Sequence, residues 1–168
     1  MTELTILSEI FWKKLGLALL CGTIVGFERQ FRGKPAGIRT SILICLGTQI
    51  FVSLGTCLPE GVAAGAGATR IIGQIITGIG FLGAGVIMAE GGLVKGVTSA
   101  AVIWVLAGIG VAIGLGYTGI AFVLTIVTVV VLAGVELLET SFKRLRRGAH
   151  ASYHRERERP KKDDYNGG

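Results

Sequence analysis

The chain has 168 residues, 51% of them hydrophobic, with a mean hydropathy of +0.65. Its length allows one domain, and the apolar excess excludes an ordinary soluble protein in favour of one built into a bilayer. The formal charge of +6 is concentrated in residues 26–40 and in the tail after Leu138, so it speaks to topology before it speaks to a ligand.

Runs of roughly 18–20 apolar residues suffice to cross about 30 Å of hydrocarbon. They fall at 9–27, 40–58, 71–89, 97–114 and 119–138, which predicts an all-α polytopic membrane domain of about five transmembrane helices over residues 1–138. The first run is the weakest. Its uninterrupted apolar core begins only at Leu15, so Lys13 and Lys14 have to snorkel toward the headgroups. A cleaved signal peptide is the rival reading of "KKLGLALLC", but Leu20 precedes Cys21 where a lipoprotein site wants a small residue, and no small-x-small site precedes Glu28. The segment is therefore read as a span.

Charges in the connections set the orientation. The first loop carries Arg29, Arg32, Lys34 and Arg39, the second ("PEGVAAGAGATR") only Arg70, and the third Lys95. The fourth has none, and the tail begins with Lys143, Arg144, Arg146 and Arg147. The positive-inside rule then puts loops one and three and the C-terminus in the cytoplasm, with the N-terminus outside. Residues 139–168 alternate in sign after Ser152 and lack an apolar stripe, so a basic topology anchor merging into disorder is expected there. Charge alone recommends a nucleic-acid arm, and no nucleic-acid partner is expected.

Glycine, at 27 residues against three prolines, points to close-packed helices. "GTIVG" (Gly22, Gly26) and "GVAIG" (Gly110, Gly114) are small-xxx-small faces, and "TGIGFLGAG" puts Gly78, Gly80, Gly83 and Gly85 in the third span. Gly78, Gly80 and Gly83 match G-x-G-x-x-G literally, but the match lies inside a bilayer-length apolar run rather than between a strand and a helix, so helix packing is the reading taken. At an offset of 59 residues the first hairpin resembles the second: Gly26, Gly33 and Gly37 fall on Gly85, Gly92 and Gly96, and Thr40 meets Ser99. Both loops face the same side, so such a repeat of two hairpins would be parallel.

Chemistry has few places to sit. The histidines (His150, His154) and aspartates (Asp163, Asp164) all lie in the tail, and no catalytic set can meet at one depth, so the chain is not expected to be an enzyme. Cys21, Cys45 and Cys57 have no metal-ligand spacing and read as small buried hydrophobes. Polar groups near membrane depth are Glu28, Arg70, Gln74, Thr77, Glu90, Thr98, Ser99 and Glu136, and such groups often mark sites. Glu28, Arg29, Arg32, Arg39 and Thr40 from the first loop and Glu90, Thr98 and Ser99 from the third form an expected cytoplasmic cluster. It is either a polar pocket, with Glu28 and Glu90 as candidate metal ligands, or an ion-paired anchor that meets anionic lipid. Arg70 and Gln74, one turn apart, read as a span-end anchor.

The stretches "GFERQFRGKPAGIRT", "TRIIGQIITGIGFLGAGVI" and "KGVTSAAVIWVLAGIGVAIGLG" resemble, in order, the membrane domain of the MgtC/SapB family over residues 15–116. The resemblance implies a bacterial inner-membrane protein of magnesium homeostasis, either a Mg2+ transporter or a non-transporting regulator that binds a membrane protein or anionic lipid. A homodimer is compatible with either, no cofactor is expected, and Mg2+ enters only as ligand or cargo. By motif, Gln30, Ala36 and Gly37 join the first signature, Phe81 and Ala84 the second, and Gly96, Ala100, Ala101 and Trp104 the third. Thr98 stands where part of the family has a functionally associated asparagine, and Gly67-Ala68 where some members have Asp-Pro. With a short basic tail in place of a soluble C-terminal domain, the chain looks like the short SapB-type members.

Overall fold

The computed structural model describes residues 8–57, 66–90 and 93–157. It is helical apart from one two-stranded hairpin: α1 (Glu9–Phe31), α2 (Ile38–Cys57), α3 (Ala66–Ala84), β1 (Met88–Glu90), β2 (Leu93–Lys95), α4 (Val97–Leu115) and α5 (Thr118–Arg157). Four of the helices hold an apolar stretch long enough to cross a membrane, namely Glu9–Phe31, Ile38–Thr56, Val97–Leu115 and Thr118–Val135, and Thr69–Ala84 is a shorter apolar helix. The all-α membrane architecture stands.

The helix ends are written in local chemistry. Ser8 caps α1, its Oγ accepting from the Phe11 N–H at 3.3 Å. Pro35 lies in the turn that follows, between Gly33 and Ala36, which both take positive φ. α4 ends in a Schellman motif: Gly116 is left-handed, its N–H bonds the Ile113 carbonyl, and the Tyr117 N–H bonds that of Ala112. The neighbouring Gly114 carbonyl accepts instead from Lys14 Nζ at 2.7 Å. Lys14 thus snorkels onto a helix C-terminus, where a cation is favoured, and not simply to headgroups. Lys13 pairs with Glu9 on the exposed side of α1 at 2.6 Å.

Two boundaries differ from the sequence reading. The third helix begins at Ala66 and ends at Ala84, and the apolar residues after it form the hairpin, with Met88 opposite Lys95 and Glu90 opposite Leu93. Apolar length overran the helix because Gly85 opens a turn, and because Gly91-Gly92 is the kind of pair that favours a two-residue hairpin. The fifth helix continues to Arg157, so residues 139–157 are helical where an irregular tail was expected. That stretch holds five arginines and two glutamates, residues of good helix propensity that sustain a helix without an apolar face. The remainder of the expected tail, and residues 59–65 of the second loop, lie outside the described residues.

The chain divides into a unit of residues 1–130, holding α1 to α4 and the start of α5, and a unit of residues 131–168. In the first unit α2 packs against both α1 and α4, while α3 lies against α4 and more lightly against α2, and α1 touches α4 to a similar light extent. Exchanging the two hairpins leaves this pattern of neighbours unchanged, as a parallel repeat requires. Gly110 approaches Cys45 and Thr48, and Gly114 approaches Gln49 and Val52, so α2 and α4 run in the same direction and both hairpin loops sit at one end.

Those contacts need glycine. A Cβ on Gly22 would stand 2.7 Å from the Ile42 Cα, one on Gly26 2.6 Å from the Ile38 Cα, and one on Gly114 2.6 Å from the Val52 Cβ. Lipid supplies no hydrophobic drive for helix association, so this closeness is the main source of cohesion. Gly108, on the same helix as Gly114, has nothing within 4 Å of its added Cβ. Gly114→Leu should therefore lower the thermal midpoint in detergent, by overpacking worth about 1–3 kcal/mol, while Gly108→Leu leaves it unchanged. Equal shifts in the two variants would overturn the packing account.

Candidate functional site

The buried face of α1 reads Ala18, Cys21, Gly22, Val25, Gly26 and Arg29, a three-and-four spacing that ends in a charge. The stripe that brings α1 against its neighbours therefore carries a guanidinium into the interior, where Arg29 is 3% exposed. Its Nη2 donates to Ser99 Oγ, also buried, at 2.7 Å. Ser99 reaches it from the first turn of α4, which follows Gly96. That glycine has a φ of 91°, and a side chain there would collide with the Val86 carbonyl.

One residue earlier, Glu28 sits beside this knot. Its side chain is 9% exposed, and Oε1 lies 2.6 Å from Arg32 Nε, one turn further along α1. Both carboxylate oxygens are buried, and Oε2 has no hydrogen-bond partner among the described residues. The turn below is sewn by side chains: Gln30 Oε1 accepts from the Ile38 N–H at 3.3 Å, and Ser41 Oγ donates to the Ala36 carbonyl at 3.2 Å. Ala36, with φ at 60°, holds a backbone conformation usually left to glycine, so the loop is fixed by its contacts rather than by preference.

The expected cluster is thus brought together only in part. Glu28, Arg29, Arg32 and Ser99 meet at the loop end, with Arg29 linking the hairpins across 70 positions of sequence. Arg39 and Thr98 are exposed, and so is Thr40, which borders a separate groove between α2 and α3. Glu90 pairs its backbone with Leu93, but its side chain, like that of Glu136, lies outside the described residues. No group of three His, Cys, Asp or Glu able to hold an ion occurs among the described residues.

Arg70 and Gln74 are not in the cluster. Both are exposed on α3 and line the end of the α2–α3 groove remote from the loops, while Thr77 Oγ1 is turned back to the Gly73 carbonyl at 3.0 Å. Of the glycines singled out in α3, Gly83 faces Ala100 of α4, whose Cβ an added Cβ would meet at 3.6 Å, whereas Gly78 and Gly80 face open space. Gly85 lies in the turn after the helix, near the Leu82 carbonyl.

Sequence reasoning missed Gln49. It is fully buried in α2, its Nε2 donates to Ser53 Oγ at 3.0 Å, and its Oε1 has no hydrogen-bond partner among the described residues. Ser41, Thr48, Gln49 and Ser53 together make the inner side of α2 polar over much of its length. The signal was present as a serine, threonine and glutamine spacing inside an apolar run, but it was masked by the overall hydropathy. Cys21 and Cys45 are buried and unpaired, and Cys45 Sγ faces the Leu106 carbonyl at 3.4 Å.

The Arg29–Ser99 bond makes a measurable claim. A hydrogen bond to a charged group contributes about 1.5–3 kcal/mol, so Ser99→Ala should destabilise the detergent-solubilised protein by that order. A double-mutant cycle with Arg29→Ala should show coupling above the roughly 0.3–0.5 kcal/mol expected of independent sites. Additive effects would mean that the two side chains do not act as a pair.

The MgtC family model matches residues 15–141. The chain is 42% identical over 136 residues to Protein MgtC of Brucella abortus (strain 2308), covering 79% of this chain and 55% of that protein. It is 46% identical over 111 residues to Protein MgtC of Salmonella typhimurium (strain LT2), covering 66% of this chain and 46% of that one. The chain therefore spans about half the length of the curated relatives it matches. No solved structure matches it.

Proposed function

The chain belongs to the MgtC family, and on that premise we propose that it is a bacterial inner-membrane protein of magnesium homeostasis that works as a regulator rather than as a conduit for the ion. The loop end then faces the cytoplasm and the N-terminus lies outside, because lysine and arginine accumulate in the first and third connections and after α5.

The observation that carries this reading is the state of Glu28. Its carboxylate is held at 2.6 Å by Arg32 and lies next in sequence to the buried Arg29. Magnesium is a hard cation that wants oxygen ligands and keeps several waters. A carboxylate shared with a guanidinium in a basic setting opposes its entry. The exposed Lys34 and Arg39 instead suit an anionic partner, either a membrane protein with acidic loops or anionic lipid. A second copy of the chain would have the small-residue face of Gly73 and Gly80, which is open, to pack on.

Transport is the second reading, favoured by the buried Glu28 Oε2 with no hydrogen-bond partner among the described residues. The two readings separate in one pair of measurements. Proteoliposomes with the purified protein should show no magnesium flux above empty liposomes. Growth of a deletion strain at low magnesium should be supported by wild type and lost with the charge reversals Lys34→Glu and Arg39→Glu. Saturable flux that disappears in Glu28→Gln would overturn the regulator and establish transport.

A further inference from the structure

Between α2 and α3 runs a groove of about 1220 Å³. One face of each helix lines it at three-and-four spacing, from Thr40 to Gly55 on α2 and from Arg70 to Leu82 on α3. The walls are almost wholly apolar, and Leu43, Phe51 and Leu82 stay more than half exposed within them. Glycine widens both walls: a Cβ added at Gly47 or at Gly78 would meet nothing within 4 Å. Among the lining residues Arg70 alone is charged. It sits at the end remote from the hairpin loops, with Gln74 one turn further in.

We propose that this groove is a binding site for one anionic phospholipid, its acyl chain lying along α2 and α3 and its phosphate on Arg70 and Gln74. The shape favours a chain over a helix. The walls meet at the Arg70 end, where Ile71 fills the space over Gly55, so the opening narrows to contact rather than holding a constant gap. A packed helix needs interaxial distances of about 8–10 Å to each neighbour along its whole contact. The length agrees as well, since the 15 residue steps from Thr40 to Gly55 rise about 22 Å, the scale of one extended lipid tail. The one charge among the lining residues stands at one end with Gln74 beside it, as a headgroup requires; Thr40 lies at the opposite end, and Thr48, midway, spends its hydroxyl on the Ile44 and Cys45 carbonyls. Arginine is the side chain best shaped to grip a phosphate, and neither Arg70 nor Gln74 has a partner among the described residues.

This site is separate from the loop-end cluster and does not rest on the regulatory reading. The test is native mass spectrometry of the full chain purified from membranes and then exposed to equal phosphatidylglycerol and phosphatidylethanolamine. Wild type should retain one lipid per chain, with phosphatidylglycerol preferred. Arg70→Gln should reduce that preference about fivefold, the factor expected for one cationic side chain at a lipid surface. Gly47→Leu and Gly78→Leu should abolish retention of either lipid. Their own stability should not fall, because the new side chains enter empty space, and the thermal midpoint in detergent checks this. Two results would overturn the proposal: equal lipid retention in all four proteins, or a groove filled by a second copy. The latter would appear as a dimer that survives lipid removal and becomes a monomer in Gly78→Leu.

Discussion

Everything in this bundle depends on how closely two helices approach α2. In water a helix pair gains by hiding apolar surface, whereas in lipid the surroundings are as apolar as the helix itself. Cohesion must then come from dispersion at short range and from polar groups that find each other. Gly22 and Gly26 let α1 rest on the backbone of α2, and Gly110 and Gly114 let α4 do the same. With α1 and α4 against it, the polar inner side of α2 is sealed, and Gln49 and Ser53 become interior groups rather than lipid-facing ones.

The charged end follows from the same stripe. Arg29 is three residues beyond Gly26 on one face of α1, so the approach that buries the glycine also buries the guanidinium. A charge so placed must find partners, and Ser99 is delivered to it by α4, the helix that the second glycine pair holds in position. Glu28, turned away from that face by one residue, finds its partner one turn along its own helix. Packing and electrostatics are therefore not separate layers here. Loosening the glycine contacts would unmake the polar knot.

Much of this was legible in the sequence. Span-length apolar runs located the helices, the glycine pairs located their contacts, and charge concentration located the loop end. What escaped did so for identifiable reasons. Hydropathy does not distinguish a helix from the short hairpin after Gly85, because both are apolar and only the Gly91-Gly92 pair separates them. Nor does it reveal that α5 goes on past its apolar stretch, since charged residues with good helix propensity carry it to Arg157. Within the cluster, Thr98 and Ser99 are neighbours in sequence but lie on different faces of α4, and which of them turns inward depends on the tertiary position of Arg29. Gln49 was hidden by its neighbours, because a single amide barely changes the average over twenty residues.

Lys14 and Arg29 lie on the same helix and each ends on α4, one at the Gly114 carbonyl and the other at the Ser99 hydroxyl. The two attachment points on α1 are 15 residues apart, about 22 Å along the axis. A single bond would act as a pivot, leaving one helix free to swing or slide against the other. Two bonds at opposite ends act as a brace: sliding by one residue, about 1.5 Å, strains both at once, and a change of tilt must break one of them. The α1–α2–α4 layer is thereby triangulated into a rigid frame.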